Sequence, residues 1–175
     1  MSLLTERELG GFLADFRESA FRFEIRDRYN SDVGREPFRK FLAGEPDDYA
    51  WHRSWLDRIR RDRQVGKRWE RVRIVTVPVS DWTRYGIGVA RLSVGAGEDI
   101  RYMPRAIAER LGLEPYDAWL FDDQHLVRLH FSDSDDTFAG AELVADDEVV
   151  RSHRQWRGIA WRNAQPLEDF VATLP

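Results

Sequence analysis

The sequence predicts an α/β or α+β fold, with a mixed central sheet and helices packed on its faces. Three observations carry this. Apolar runs of strand length alternate along the chain with stretches of helical periodicity. Glycine, proline and capping residues punctuate them. A strand, a helix and a second strand follow one another over 69–103, an order that suits parallel strands joined by a right-handed crossover. No repeat or low-complexity linker interrupts residues 1–175, so a single domain is expected at this length.

The elements follow in order. Thr5 and Glu8 form a capping-box pattern, and Leu9, Phe12, Leu13 and Phe16 make the apolar stripe of a first helix. Phe21 to Arg26 alternates strictly and reads as a half-buried strand. Asn30 to Gly34 is turn-like. Pro37 stands near the start of a short helix carrying Phe38, Phe41 and Leu42, which Gly44-Glu45-Pro46 ends. A longer helix is expected from Asp47 to Gln64, with Trp55, Leu56 and Ile59 inward, an Arg-rich outer face and Gly66 as its stop. Trp69 to Val77 reads as a central strand buried on both faces, closed by Pro78.

Ser80 or Asp81 can cap the next helix, in which Trp82, Tyr85, Val89 and Leu92 share a face. Gly86 and Gly88 weaken it by about 1 kcal/mol each, and Gly95 and Gly97 end it. A strand over Asp99–Met103 and a helix from Pro104 to Leu111 come next. Ala118 to Phe121 and Leu126 to Phe131 form a hairpin, and Phe138 to Val144 is a further strand. Asp146 opens a last helix with Val149, Val150, His153, Trp156 and Ala160 inward. The tail from Asn163 is expected to pack as an extension.

Composition removes several functional classes. Cysteine is absent, which excludes disulfides, thiolate metal sites and cysteine nucleophiles. The formal net charge of -4 gives no global attraction to nucleic acid, so direct nucleic-acid binding is not expected. No apolar run reaches the roughly 18–20 residues that span a bilayer. MSLLTEREL lacks the basic and apolar regions of a signal peptide, so a cytoplasmic location and no membrane partner are expected. The basic residues are almost all Arg. A GC-rich coding sequence explains this first; bidentate carboxylate pairing and stacking on the seven Trp is the second explanation.

The segments ERVRIVTVPVSDWTRY, GEDIRYMPR, YDAWLFDD and GAELVADDEVV, with AFRFEIRDRY and FLAGEPDD earlier, resemble an uncharacterised actinobacterial family, a domain of unknown function. The likeness covers nearly the whole chain, with its motifs in one order. Members of that family are often encoded beside small helix-turn-helix regulators, so the resemblance implies a regulatory context and a regulator as protein partner. The block from Arg68 to Asp136 also looks like half of a phospholipase D-like domain. The signature of that fold is His, then Lys two residues on, then Asp. Here Val127 follows His125 and Ser132 follows His130 at that spacing, and the cation that would hold a phosphate is missing.

The candidate binding residues are Arg71, Arg73, Asp81, Trp82, Arg84, Asp99, Arg101 and Asp122. Arg71 and Arg73 share a strand face. With the nearby Asp residues they line either an anion pocket or a set of structural Arg–Asp pairs, and the need of buried charges for partners favours the pairs. His52, His125, His130 and His153 do not form a convergent metal set, and His153 reads as a hydrogen-bonded core residue. Asp133, Asp135 and Asp136 lack calcium-loop spacing and read as a solvated turn. The run Arg58 to Arg63 reads as a wet helix face. No cofactor is expected. The function that follows is a non-enzymatic regulatory protein acting with a DNA-binding regulator and able to take a small anionic ligand. The alternative is a phosphoester enzyme using His125 or His130, or direct DNA binding through the Arg58 to Arg63 helix.

Overall fold

A computed structural model describes residues 3–175. Helix α1 (Glu6–Asp15) opens with the expected capping box: Thr5 Oγ1 accepts from Glu8 N at 3.2 Å and Glu8 Oε2 accepts from Thr5 N at 2.7 Å. The chain continues through β1 (Ser19–Glu24), α2 (Asp32–Ala43), a 3-10 turn (Ala50–His52), α3 (Arg53–Gln64), β2 (Arg68–Val75), α4 (Asp81–Ala96) and β3 (Asp99–Pro104). Then come α5 (Arg105–Arg110), β4 (Ala118–Phe121), β5 (His125–Phe131), β6 (Phe138–Leu143), α6 (Asp147–Asn163), β7 (Gln165–Pro166) and α7 (Leu167–Val171).

The strands form one mixed seven-stranded sheet in the order β6-β5-β4-β1-β2-β3-β7. β1, β2 and β3 are parallel neighbours, and the remaining pairs are antiparallel. The fold class is the predicted one, and helices cover both faces. On one face Phe21, Phe23, Val72, Ile74, Met103 and Leu120 pack against Ala108 of α5 and Val150 and Ala160 of α6. On the other, Ala20, Trp69, Trp119 and Phe121 meet Phe16 beyond α1 and Leu56 and Ile59 of α3. Towards the β3 edge, Val75, Ile100 and Tyr102 meet α4 and α7 through Ile87, Ala90, Leu167 and Phe170.

Five expectations need correction. The stretch from Asn30 to Gly34 is not simply a turn: Ser31 Oγ accepts from Gly34 N at 3.0 Å and starts α2 at Asp32. Pro37 therefore lies inside that helix rather than at its beginning. Residues 47–49 are not helical, because Tyr49 is left-handed at φ 53° and Asp47 accepts from Tyr49 N and Trp51 Nε1; α3 starts only at Arg53. Gly95 stays inside α4, and Gly97 caps it at φ 118°. The strand at Phe21–Arg26 is not half-exposed: Phe21, Arg22 and Phe23 are all buried. Its polar positions face other charges inside the molecule rather than water.

Asp122 and Asp123 both take positive φ in the three-residue β4–β5 turn, where Gln124 N donates to Phe121 O at 2.9 Å. The Asp122 carboxylate accepts from the backbone amides of Arg17, Glu18 and Ser19 at 2.8, 2.7 and 3.0 Å, fastening the start of β1 to the hairpin. Bonds to a charged acceptor are the stronger kind, so Asp122→Ala should lower stability by about 2 kcal/mol in urea denaturation. An unchanged midpoint would contradict this structural role. Among the described residues no helix is long and apolar enough to cross a membrane.

Candidate functional site

Alternation in two neighbouring parallel strands builds the site. Arg22 of β1 lies opposite Arg71 of β2, and Glu24 opposite Arg73. All four side chains therefore project from the same sheet face. β3 adds Tyr102 opposite Arg73, and Glu98 stands just before it. Five charged groups and a tyrosine thus sit between the two apolar clusters of that face.

The charges are shared unevenly. Arg22 is held by Asp117 and by the carbonyls of Phe23 and Ala118. Tyr29 donates to the same Asp117 at 2.6 Å. Arg71 lies between two carboxylates, 2.7 Å from Glu24 Oε1 and 2.8 Å from Glu98 Oε1. Arg73 Nε lies 2.7 Å from Glu24 Oε2, outside hydrogen-bonding alignment. Burial opposes ionisation of Glu24, but Arg71, Arg73 and Arg22 outweigh it and hold the carboxyl down at about 2. Glu98 goes the other way: burial raises it against the pull of Arg71, and its Oε2 has no hydrogen-bond partner.

Beside this cluster opens a cavity of about 280 Å³. Arg71, Arg73 and Glu24 contribute to its lining from the sheet, as do Trp82, Tyr85, Gly86 and Ser93 from α4 and Trp51 and His52 from the 3-10 turn. Ser31 and Gly34, at the start of α2, and Tyr29 complete much of the remainder. Phe38 and Trp82 pack edge to face at 4.7 Å, and Trp82 and Tyr85 lie 5.5 Å apart, which fixes that wall. Gly86 has a packing reason inside α4: a Cβ there would come within 2.5 Å of Arg73 Nη1. His52 Nε2 lies 3.1 Å from Ser93 Oγ. Burial, with Arg71 alongside, lowers the imidazole to about 4, so it is neutral at physiological pH.

The eight predicted residues divide. Arg71, Arg73 and Trp82 converge on the cavity. Asp81 and Arg84 are exposed on the first turn of α4, and it is Ser80 that caps, accepting from Thr83 N at 3.2 Å. Asp99 and Arg101 pair with each other at 3.4 Å, and Arg101 stacks on Trp161 at 3.9 Å. Asp122 is held in its backbone clamp. The question of pocket against ion pairs therefore resolves for Arg71 and Arg73 as both: they are paired and they line an opening. Glu24, Glu98, Tyr29, His52 and Ser93 were not singled out by sequence. The alternation Arg22-Phe23-Glu24 was the available signal for Glu24; nothing local marked His52 or Ser93.

The other sequence candidates lie apart. His130 bonds to Glu142 at 3.0 Å and His125 is exposed beside Phe12. Lys67 is near Asp62 at 3.7 Å. Neither β5 histidine nor either lysine lines the cavity. Arg26 binds Asp136 at 2.7 Å and Asp133 at 3.2 Å, so the acidic turn is pinned rather than merely solvated. His153 is buried and accepts from Tyr116 N at 3.0 Å, a core role as predicted. Among the described residues no group of three or more His, Asp and Glu is arranged to hold a metal ion. None of the curated proteins matches the chain. A family does match over residues 7–172, almost the whole length, and the chain belongs to it: the domain of unknown function DUF6879.

Proposed function

We propose that this chain is a non-enzymatic regulatory protein of the cytoplasm that binds a small anion in the arginine-floored cavity and acts with a DNA-binding regulator. One observation carries the first half. Arg73 is only 7% exposed, yet its Nε has no hydrogen-bond partner although Glu24 Oε2 lies 2.7 Å away. Buried guanidinium groups normally use their donors, and an anion in the adjoining cavity would take them. The second half is supported by the resemblance to an actinobacterial family encoded beside helix-turn-helix regulators. Val33 and Leu42, apolar and well exposed on α2, the helix whose start lines the cavity, offer a contact surface.

Titration with acetate, followed by fluorescence of Trp51 and Trp82, tests the pocket. A response is expected in the wild type and not in Arg73→Gln. That variant leaves Glu24 held by Arg71, so it should stay folded. A response that persists in Arg73→Gln would place any anion elsewhere. Co-purification with the neighbouring regulator tests the partner, and no complex at micromolar concentration would remove it.

The Ser93–His52 contact favours a second reading, hydrolysis of an ester through a serine nucleophile. Against it, Ser93 is 3% exposed, and no described residue orients the second nitrogen of His52. Turnover of a nitrophenyl ester that Ser93→Ala abolishes would establish the enzyme instead.

A further inference from the structure

We infer that the ligand of this cavity is a planar aromatic monocarboxylate. This rests on the anion-binding reading and narrows it. Charge decides the headgroup. Asp117 accompanies Arg22, Glu24 and Glu98 flank Arg71, and Arg73 meets a single carboxylate, Glu24, through its Nε at 2.7 Å, and shares it with Arg71. The cavity is therefore lined by one guanidinium, that of Arg73, whose only carboxylate among the described residues is shared. A fork presents two parallel N–H donors and matches a carboxylate edge-on. A phosphoryl group spreads its charge over three oxygens and needs more donors than one fork supplies. No lysine lines the cavity to provide them.

Size and walls decide the rest. At about 280 Å³ the cavity falls near the lower limit for ligand sites, enough for one small ring system beyond the carboxylate. Trp51, Trp82, Tyr85 and Tyr29 supply aromatic lining. Such faces favour a ring that can stack or meet them edge-on over a saturated one of equal size. The absence of a side chain at Gly86 leaves the space into which Arg73 Nη1 reaches. Alanine there restores helix propensity while crowding the fork.

Isothermal titration calorimetry on the full chain separates the possibilities. The probes are benzoate, indole-3-carboxylate, cyclohexanecarboxylate, phenyl phosphate and inorganic phosphate. Benzoate and indole-3-carboxylate are expected to bind, with cyclohexanecarboxylate about tenfold weaker, as the loss of aromatic contact predicts. Phosphate and its ester are expected to stay silent. Gly86→Ala should lose benzoate binding while keeping the wild-type circular dichroism spectrum. Arg73→Lys should lose it too, because an ammonium cannot reproduce the fork. Cyclohexanecarboxylate or phenyl phosphate binding as tightly as benzoate, in an Arg73-dependent way, would overturn the aromatic carboxylate and leave the anion site standing. Silence from every probe would overturn both, and benzoate binding untouched by either substitution would overturn the location.

Discussion

Glu24→Ala should destabilise the protein by about 3–5 kcal/mol at neutral pH, the effect expected when one partner of a buried ion cluster is removed. Glu24 is the carboxylate that Arg71 and Arg73 share, and Arg22 lies 4.0 Å from it. Without it, the largely buried guanidinium groups of Arg71 and Arg73, two residues apart on β2, would have one carboxylate fewer between them. Urea denaturation measures the loss; a change under about 1 kcal/mol would show that solvent screens the cluster.

The same residue gives the stability a pH signature. Its folded value of about 2 lies below its ordinary 4.5, so the stabilisation is complete above 4.5 and disappears as pH falls towards 2. His52 adds an earlier stage. Held at about 4 against an ordinary 6.5, it must be neutral in the native state, and stability falls as pH drops from 6.5 towards 4. Glu98 runs oppositely: its raised value makes ionisation costly as pH rises above 4.5. Glu24→Gln should flatten the acid limb below 4.5 and leave the His52 stage in place. An unaltered lower limb in that variant would refute the assignment.

The second large effect is expected at Trp69. Trp69→Ala should cost about 3–5 kcal/mol. The indole is 2% exposed and sits among Phe16 and Trp55 at 4.9 Å and Trp119 at 5.6 Å. Its Nε1 donates to Asp62 at 2.9 Å, which ties the end of α3 to the sheet. Removing it opens a large void and takes a hydrogen bond from the Asp62 carboxylate. Trp69→Phe should cost less, since it keeps the ring contacts and loses the hydrogen bond. Equal losses in the two variants would mean that the Asp62 bond, rather than packing, dominates.

Local signals in the sequence were enough for the elements and their type. Thr5 with Glu8, Ser80, Gly97 and the β-branched run of β2 each act within a few residues, so their outcome follows from nearest-neighbour chemistry. The period of two in Arg22-Phe23-Glu24 and in Arg71-Val72-Arg73 also determined that these charges share a strand face. What lay beyond that face was not legible. Polar residues alternating with apolar ones read as a solvent side, because a buried ion cluster and a wet surface give the same pattern. Only the parallel pairing of β1 with β2 brought Glu24 between two arginines. Only the packing of α4 and the 3-10 turn over that face placed Trp82, Gly86, His52 and Ser93 around one cavity. Those residues are separated along the chain by tens of positions, and a site assembled from such contacts exists only after the loops between them have closed.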